Sequence, residues 1–169
     1  CCTMYSSFGY INATRQDPEV RRRALLKADV HMRFVMELYE EQVKDGHYFL
    51  HEHPLNATSW EVPSIAEVLK RYDVERVHGD QCQFGAAVKH GSEIGSPINK
   101  PTGFMTNSPY VAKALAVRCT GLGGACSRPE GGSQVLCSGR NAREAAQCPR
   151  ELCRAVLKGI RDQLRADGT

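Results

Sequence analysis

No apolar run in this chain approaches the roughly 18 residues that a helical membrane span needs. No N-terminal apolar segment has the form of a secretory signal. The chain opens on Cys1 rather than Met, so a piece of a longer polypeptide is expected. The eight cysteines contain no C-x-x-C pair, which removes the strongest zinc signature. Neither an internal repeat nor a low-complexity tail is present, and neither sign of charge dominates. Twenty-two Lys and Arg against 19 Asp and Glu leave +3, which permits a polyanionic partner without requiring one.

What is present suits one ordinary globular domain over residues 1–169, long enough to bury its own core. Such a core needs no disulfide staples. The cysteines therefore point to a reduced, intracellular setting, with nucleus or cytoplasm left open. The sequons at Asn12 and Asn56 would matter only in a secreted chain. The one solid basic run, Arg21-Arg22-Arg23, is expected on a solvated helix face.

Asp17-Pro18-Glu19 is a helix start: a capping Asp, Pro in the first turn, an acid near the positive end of the dipole. That helix is expected to run to about Asp45, with Ala24, Ala28, Val35, Leu38 and Tyr39 facing inward. A buried strand is expected over 47–51, then a helix over 60–72. Short strands at 74–77 and 104–106 flank a Gly/Pro-rich loop. A short helix at 109–117 leads into an irregular Cys/Gly-rich segment, 118–141. A final amphipathic helix over 149–166 carries Leu152, Val156, Ile160 and Leu164 on one stripe. Helix and strand in alternation predict an α/β fold with a parallel, Rossmann-like sheet and flanking helices.

In open parallel sheets ligands sit beyond the carboxyl ends of the strands. The opening Cys-Cys-Thr-Met-Tyr-Ser and the stretch His51-Glu52-His53-Pro54 both suit that position. A thiol and a carboxyl group there would serve as nucleophile and acid. His51 and His53 flank Glu52 and are also a possible metal pair.

These residues carry a resemblance. Cys2-Thr3-Met4-Tyr5-Ser6 resembles the Pro-Cys-x-x-Phe-Ser motif of the cytosine-5 DNA methyltransferases, and 49–54 resembles their second active-site strand. Asp80-Gln81-Cys82-Gln83-Phe84-Gly85 and 100–107 resemble a paired motif of the phage-type members, and 145–153 resembles their closing segment. The order is the family's.

The resemblance implies a thiolate at Cys2 attacking carbon 6 of a flipped cytosine, with the Glu52 carboxyl group at nitrogen 3. It implies substrate or DNA contacts from Ser6, Lys100, Thr102 and Asn107. It also implies S-adenosylmethionine as methyl donor, DNA as partner, and descent from a phage or mobile element.

Three departures stand out. Cys1 replaces the family's proline, Asn99-Lys100 stands where an arginine is usual, and a Gly-rich cofactor loop would lie before residue 1. The run Gly121-Leu122-Gly123-Gly124 follows a helix, which is the wrong context for that loop. The chain alone is therefore expected to be inactive.

Two other function classes fit the cysteines. One is a non-catalytic Cys-rich module for nucleic acid or protein, with zinc held by Cys119, Cys126, Cys137 and Cys148. The other is a secreted, disulfide-bonded domain.

Overall fold

The computed structural model describes residues 3–5, 16–71 and 73–169. Cys2 and Ser6, two of the predicted site residues, lie outside the described residues. Helix α1 (Pro18–Lys44) starts as its sequence predicts. The Asp17 carboxylate accepts from the Glu19 and Val20 N–H groups at 2.9 and 3.1 Å. Its buried stripe is Ala28, Met32 and Met36, with Val35 and Tyr39 packed alongside. Leu38 instead lies exposed, and Arg22 and Arg23 pair with Glu19 on the solvated side.

Strand β1 (Leu50–Pro54) begins three residues later than the apolar run suggests. The reason lies in its neighbour. Strand β4 (Pro101–Thr106) ends at Thr106, which pairs with Leu50. Beyond it, Asn107 offers side-chain rather than ladder bonds: its Oδ1 accepts from Phe49 N and its Nδ2 donates to the His47 carbonyl. Residues 47–49 therefore have no strand partner there.

A 3-10 turn (Thr58–Glu61) and α2 (Pro63–Leu69) lead to β2 (Glu75–Asp80). A second 3-10 turn, Gln81–Phe84, ends β2. Strand β3 (Ile98–Asn99) precedes β4, α3 (Pro109–Leu115) follows it, and β5 (Val135–Leu136), α4 (Gly139–Glu144) and α5 (Arg150–Asp167) complete the order.

The expected parallel sheet is corrected. The main sheet has the order β1-β4-β2, and β4 pairs antiparallel with both neighbours. Strands β1 and β2 consequently run in the same direction, joined by a crossover through α2. Alternation of helix and strand suits two co-directed strands joined by a helix, but here those two strands do not pair with each other. It could not foretell that the later strand β4 would return and fill the gap between them. Among the described residues, only the short β3 and β5 pair in parallel.

Helices cover both faces. Met105 and its pair-mate His51 face α1 and α2, where Met32, Met36, Ile65 and Val68 form the first core. Phe104, with Leu50 and Val77, faces α3 and α5, where Val111, Leu115 and Leu152 form the second. Full burial of a Phe or Met side chain contributes roughly 1.5–3 kcal/mol, so the adjacent pair Phe104 and Met105 fastens both layers.

Gly103, just before them, carries no side chain because Trp60 crosses there. A Cβ would come within 2.7 Å of the Trp60 ring, over which the Arg76 guanidinium sits at 4.1 Å. On α5 the buried stripe is Leu152, Gly159 and Gln163, while Ile160 and Leu164 are exposed. Gly159 turns that stripe, since a Cβ there would reach within 2.7 Å of Val111 Cα on α3.

Candidate functional site

Because β1 and β2 are co-directed, their carboxyl ends lie at one end of the sheet, beside the first residues of β4. Four polar side chains meet there. Glu52 Oε1 accepts from Gln81 Nε2 at 3.2 Å and stands 3.8 Å from Lys100 Nζ. Gln81 Nε2 also donates to Thr102 Oγ1 at 3.0 Å, and Thr102 Oγ1 donates to the Lys100 carbonyl. Lys100 Nζ donates to the Ala145 carbonyl at 2.8 Å.

Gln81 and Thr102 are fully buried, and Gln81 Oε1 has no hydrogen-bond partner among the described residues. Glu52 keeps about a quarter of its side chain open, at 27%. An anchored carboxylate that still reaches solvent can meet a ligand.

His51 and His53 lie on the opposite face from Glu52, with ring centroids 4.5 Å apart. His51 approaches the Tyr39 hydroxyl at 3.3 Å, and His53 bonds Ser59. Burial, with the neighbouring His53, pushes His51 down to about 3; burial pushes His53 down to about 4. Both are therefore neutral near neutrality. They line a cavity of about 220 Å³ with His31, Met32, Val35 and Glu52. Among the described residues they form no three-ligand metal group.

Asn107 is placed apart from this cluster. It sits beyond the other end of β4, with both halves of its amide on backbone. Thus Glu52, Lys100 and Thr102 are brought together and Asn107 is not.

The expected four-cysteine metal set is corrected. Cys119 and Cys126 do approach, with sulfurs 3.9 Å apart, but their third partner is Cys82, and all three sulfurs lie within 4.8 Å of one another. Such a triad could hold a metal ion. Cys137 and Cys148 do not join it. Burial raises the Cys137 thiol above its ordinary value against the pull of Lys100, and partial burial with Glu52 and Cys153 does the same for the more exposed Cys148.

Sequence spacing could not find Cys82, because 36 residues separate it from Cys119. The link is Asp80. Its carboxylate accepts from Cys119 N at 2.7 Å, from Arg118 Nε at 3.1 Å and from His78 at 2.9 Å. Burial alone would raise this carboxyl, but those three partners outweigh it and hold it below its ordinary value. Cys119 is thereby docked against the turn that carries Cys82.

The thiols differ sharply. Burial pushes Cys82 up to about 12. Burial acts the same way on Cys119 but is outweighed by Ser127 N–H and Oγ, Gly121 N–H and Cys126, and that thiol is lowered to about 6.

The described residues do not fit S-adenosylmethionine. Their longest cluster of glycines, 121–124, belongs to this thiol loop. Gly121 lies against the Ala125 carbonyl, which a Cβ would strike, and Gly124 O accepts from Gln134 N. That is a closed loop, not a strand-to-helix phosphate cradle.

No family model, curated protein or solved structure gives a significant match to this chain. Among the described residues no helix is long and apolar enough to cross a membrane.

Proposed function

We propose that the chain is the base-binding and base-activating part of an enzyme resembling the DNA cytosine-5 methyltransferases. One observation carries this: Glu52, Lys100 and Thr102, distant in sequence, converge at the carboxyl ends of two co-directed strands, with Gln81 between them. Helices on both faces and a crossover between β1 and β2 also favour it. In open α/β sheets, ligands bind beyond the carboxyl ends of co-directed strands.

The chemistry follows from the groups. The Cys2 thiolate adds to carbon 6 of an extruded cytosine, forming the carbon–sulfur bond. The Glu52 carboxyl group gives a proton to nitrogen 3, so the ring's electrons collect at carbon 5. Gln81 and Lys100 hold the carboxyl in place, and Thr102 positions Gln81. Carbon 5 is then nucleophilic. With no methyl donor it takes a proton from water. The hydroxide so formed removes the original hydrogen of carbon 5, the carbon–sulfur bond breaks to release the thiolate, and the nitrogen 3 proton returns to the Glu52 carboxylate, restoring cytosine. No step is assigned to S-adenosylmethionine. A zinc ion in the thiol loop would be structural in this scheme.

Release of tritium from carbon 5 of [5-³H]cytosine in duplex DNA tests the base-activating step, which needs no cofactor loop, apart from the methyl transfer for which the chain alone is expected to be inactive. Release is expected, lost in Cys2→Ser and reduced about 100-fold or more in Glu52→Gln. Absence of release by the unmodified chain, together with no binding to cytosine-containing DNA, overturns it.

A further inference from the structure

We infer that Cys82, Cys119 and Cys126 bind one zinc ion through their sulfurs, and that this ion clamps the 119–134 loop to the end of β2. The inference is independent of the methyltransferase proposal. Tetrahedral Zn–S bonds of about 2.3 Å set ligand sulfurs about 3.8 Å apart. Cys119 and Cys126 already stand at 3.9 Å, and no pair exceeds 4.8 Å. Binding therefore asks for shifts of about 1 Å at most. A disulfide joins two sulfurs at about 2.05 Å and leaves the third unused.

The surroundings point the same way. The groups facing these sulfurs are donors. Gln134 Nε2 lies 3.4 Å from the Cys82 sulfur and 3.5 Å from that of Cys119. Gln83 Nε2 lies 3.7 Å from Cys82 and 3.6 Å from Cys126. Ser127 N and Oγ lie 3.4 and 3.5 Å from Cys119. Donors converging on three sulfurs suit thiolates, and thiolates packed this closely need a cation of borderline softness. The loop is shaped for them: Cys126 N bonds Gly132 O, Gln134 N bonds Gly124 O, and Asp80 carries Cys119 into place. Three protein ligands leave the fourth position open to water.

On binding, each S–H bond breaks and a Zn–S bond forms, so up to three protons pass to the buffer per ion. The test is Co²⁺ titration of the reduced chain, with zinc displacing the cobalt. One equivalent is expected, with a tetrahedral d–d spectrum and thiolate charge transfer whose intensity counts three sulfurs. Cys119→Ser and Cys82→Ser should each abolish the tetrahedral spectrum. Cys148→Ser should leave it unchanged, and Gln134→Ala should weaken zinc about 10-fold or more. The count on the unmodified chain needs no variant to fold. No tetrahedral cobalt spectrum, a count of two sulfurs, or a Cys119–Cys126 disulfide forming in preference to metal binding overturns the inference.

Discussion

Two regions hang from three consecutive residues. Asp80 pins the segment that brings Cys119 in, Gln81 enters the Glu52–Lys100–Thr102 cluster, and Cys82 joins the thiols. One region is built on paired strands with its polar groups largely satisfied. The other is a loop with few strand bonds, closed by turns, one carboxylate and three sulfurs. The sheet end can keep its geometry by itself. The thiol loop depends on something that ties the sulfurs together. Perturbations should therefore separate the two.

The largest separation is expected from acid. His51 and His53 are held neutral in the folded chain, at about 3 and about 4, below the ordinary 6.5. Above about pH 6.5 both are neutral whether folded or not, and the full stability is present. As pH falls below that value the unfolded chain takes up protons that the folded chain refuses. Each histidine then costs up to about 1.4 kcal/mol per pH unit until its folded value is reached. Urea midpoints should drop steeply between about pH 6.5 and pH 4. Replacing His51 with Gln, which keeps polarity without a proton to gain, should flatten that slope. A slope unchanged by the substitution removes the histidines as its cause.

Phe104→Ala comes next. This ring closes the core between the sheet and the α3–α5 layer at 1% exposure. Its loss should cost about 3–5 kcal/mol in urea unfolding. If the sheet end and thiol loop share one cooperative unit, cobalt binding and global unfolding will be lost at the same urea concentration. Separate midpoints would show the loop melting on its own.

Asp80→Asn targets the hinge between the regions. The amide keeps the shape but replaces charge-assisted bonds to Arg118, His78 and Cys119 N, at a cost of about 1–3 kcal/mol. Metal affinity at the thiols should fall, while tritium release at the sheet end should change less than 3-fold. Equal losses in both would show that the two regions are one.

The uneven legibility of these regions in the sequence has a physical basis. The start of α1 was readable because a capping Asp and a proline act within a few residues of it. Glu52, Lys100 and Thr102 were singled out by a resemblance of short stretches to a known family, and the sheet brings them together. The order β1-β4-β2 was not readable. Which strand fills a gap is decided by long-range pairing, and nothing local to 101–106 states it. The outward turn of Leu38, Ile160 and Leu164 was hidden for a related reason. Periodicity gives a stripe but not which neighbour it meets, and Met32, Met36, Gly159 and Gln163 took the buried places. Cys82 and Gln81 were visible only as letters in a motif; their partners lie tens of residues away.

The smallest expected effect on stability is the sharpest test of the sheet end. Glu52 is partly open, and its contact with Lys100 at 3.8 Å is long for an ion pair. A glutamine there can still accept from Gln81 through its oxygen, so the neighbouring bonds to Thr102 and Ala145 need not move. A pair this long that still reaches solvent is worth under about 1 kcal/mol. Glu52→Gln should therefore shift the urea midpoint by less than about 0.5 kcal/mol, while carbon 5 exchange falls about 100-fold because an amide has no proton to give. A large stability loss would make Glu52 part of the scaffold. An intact stability with intact exchange would leave the carboxylate without a role in the proposed chemistry. Only the split between the two readouts places Glu52 at a reacting base.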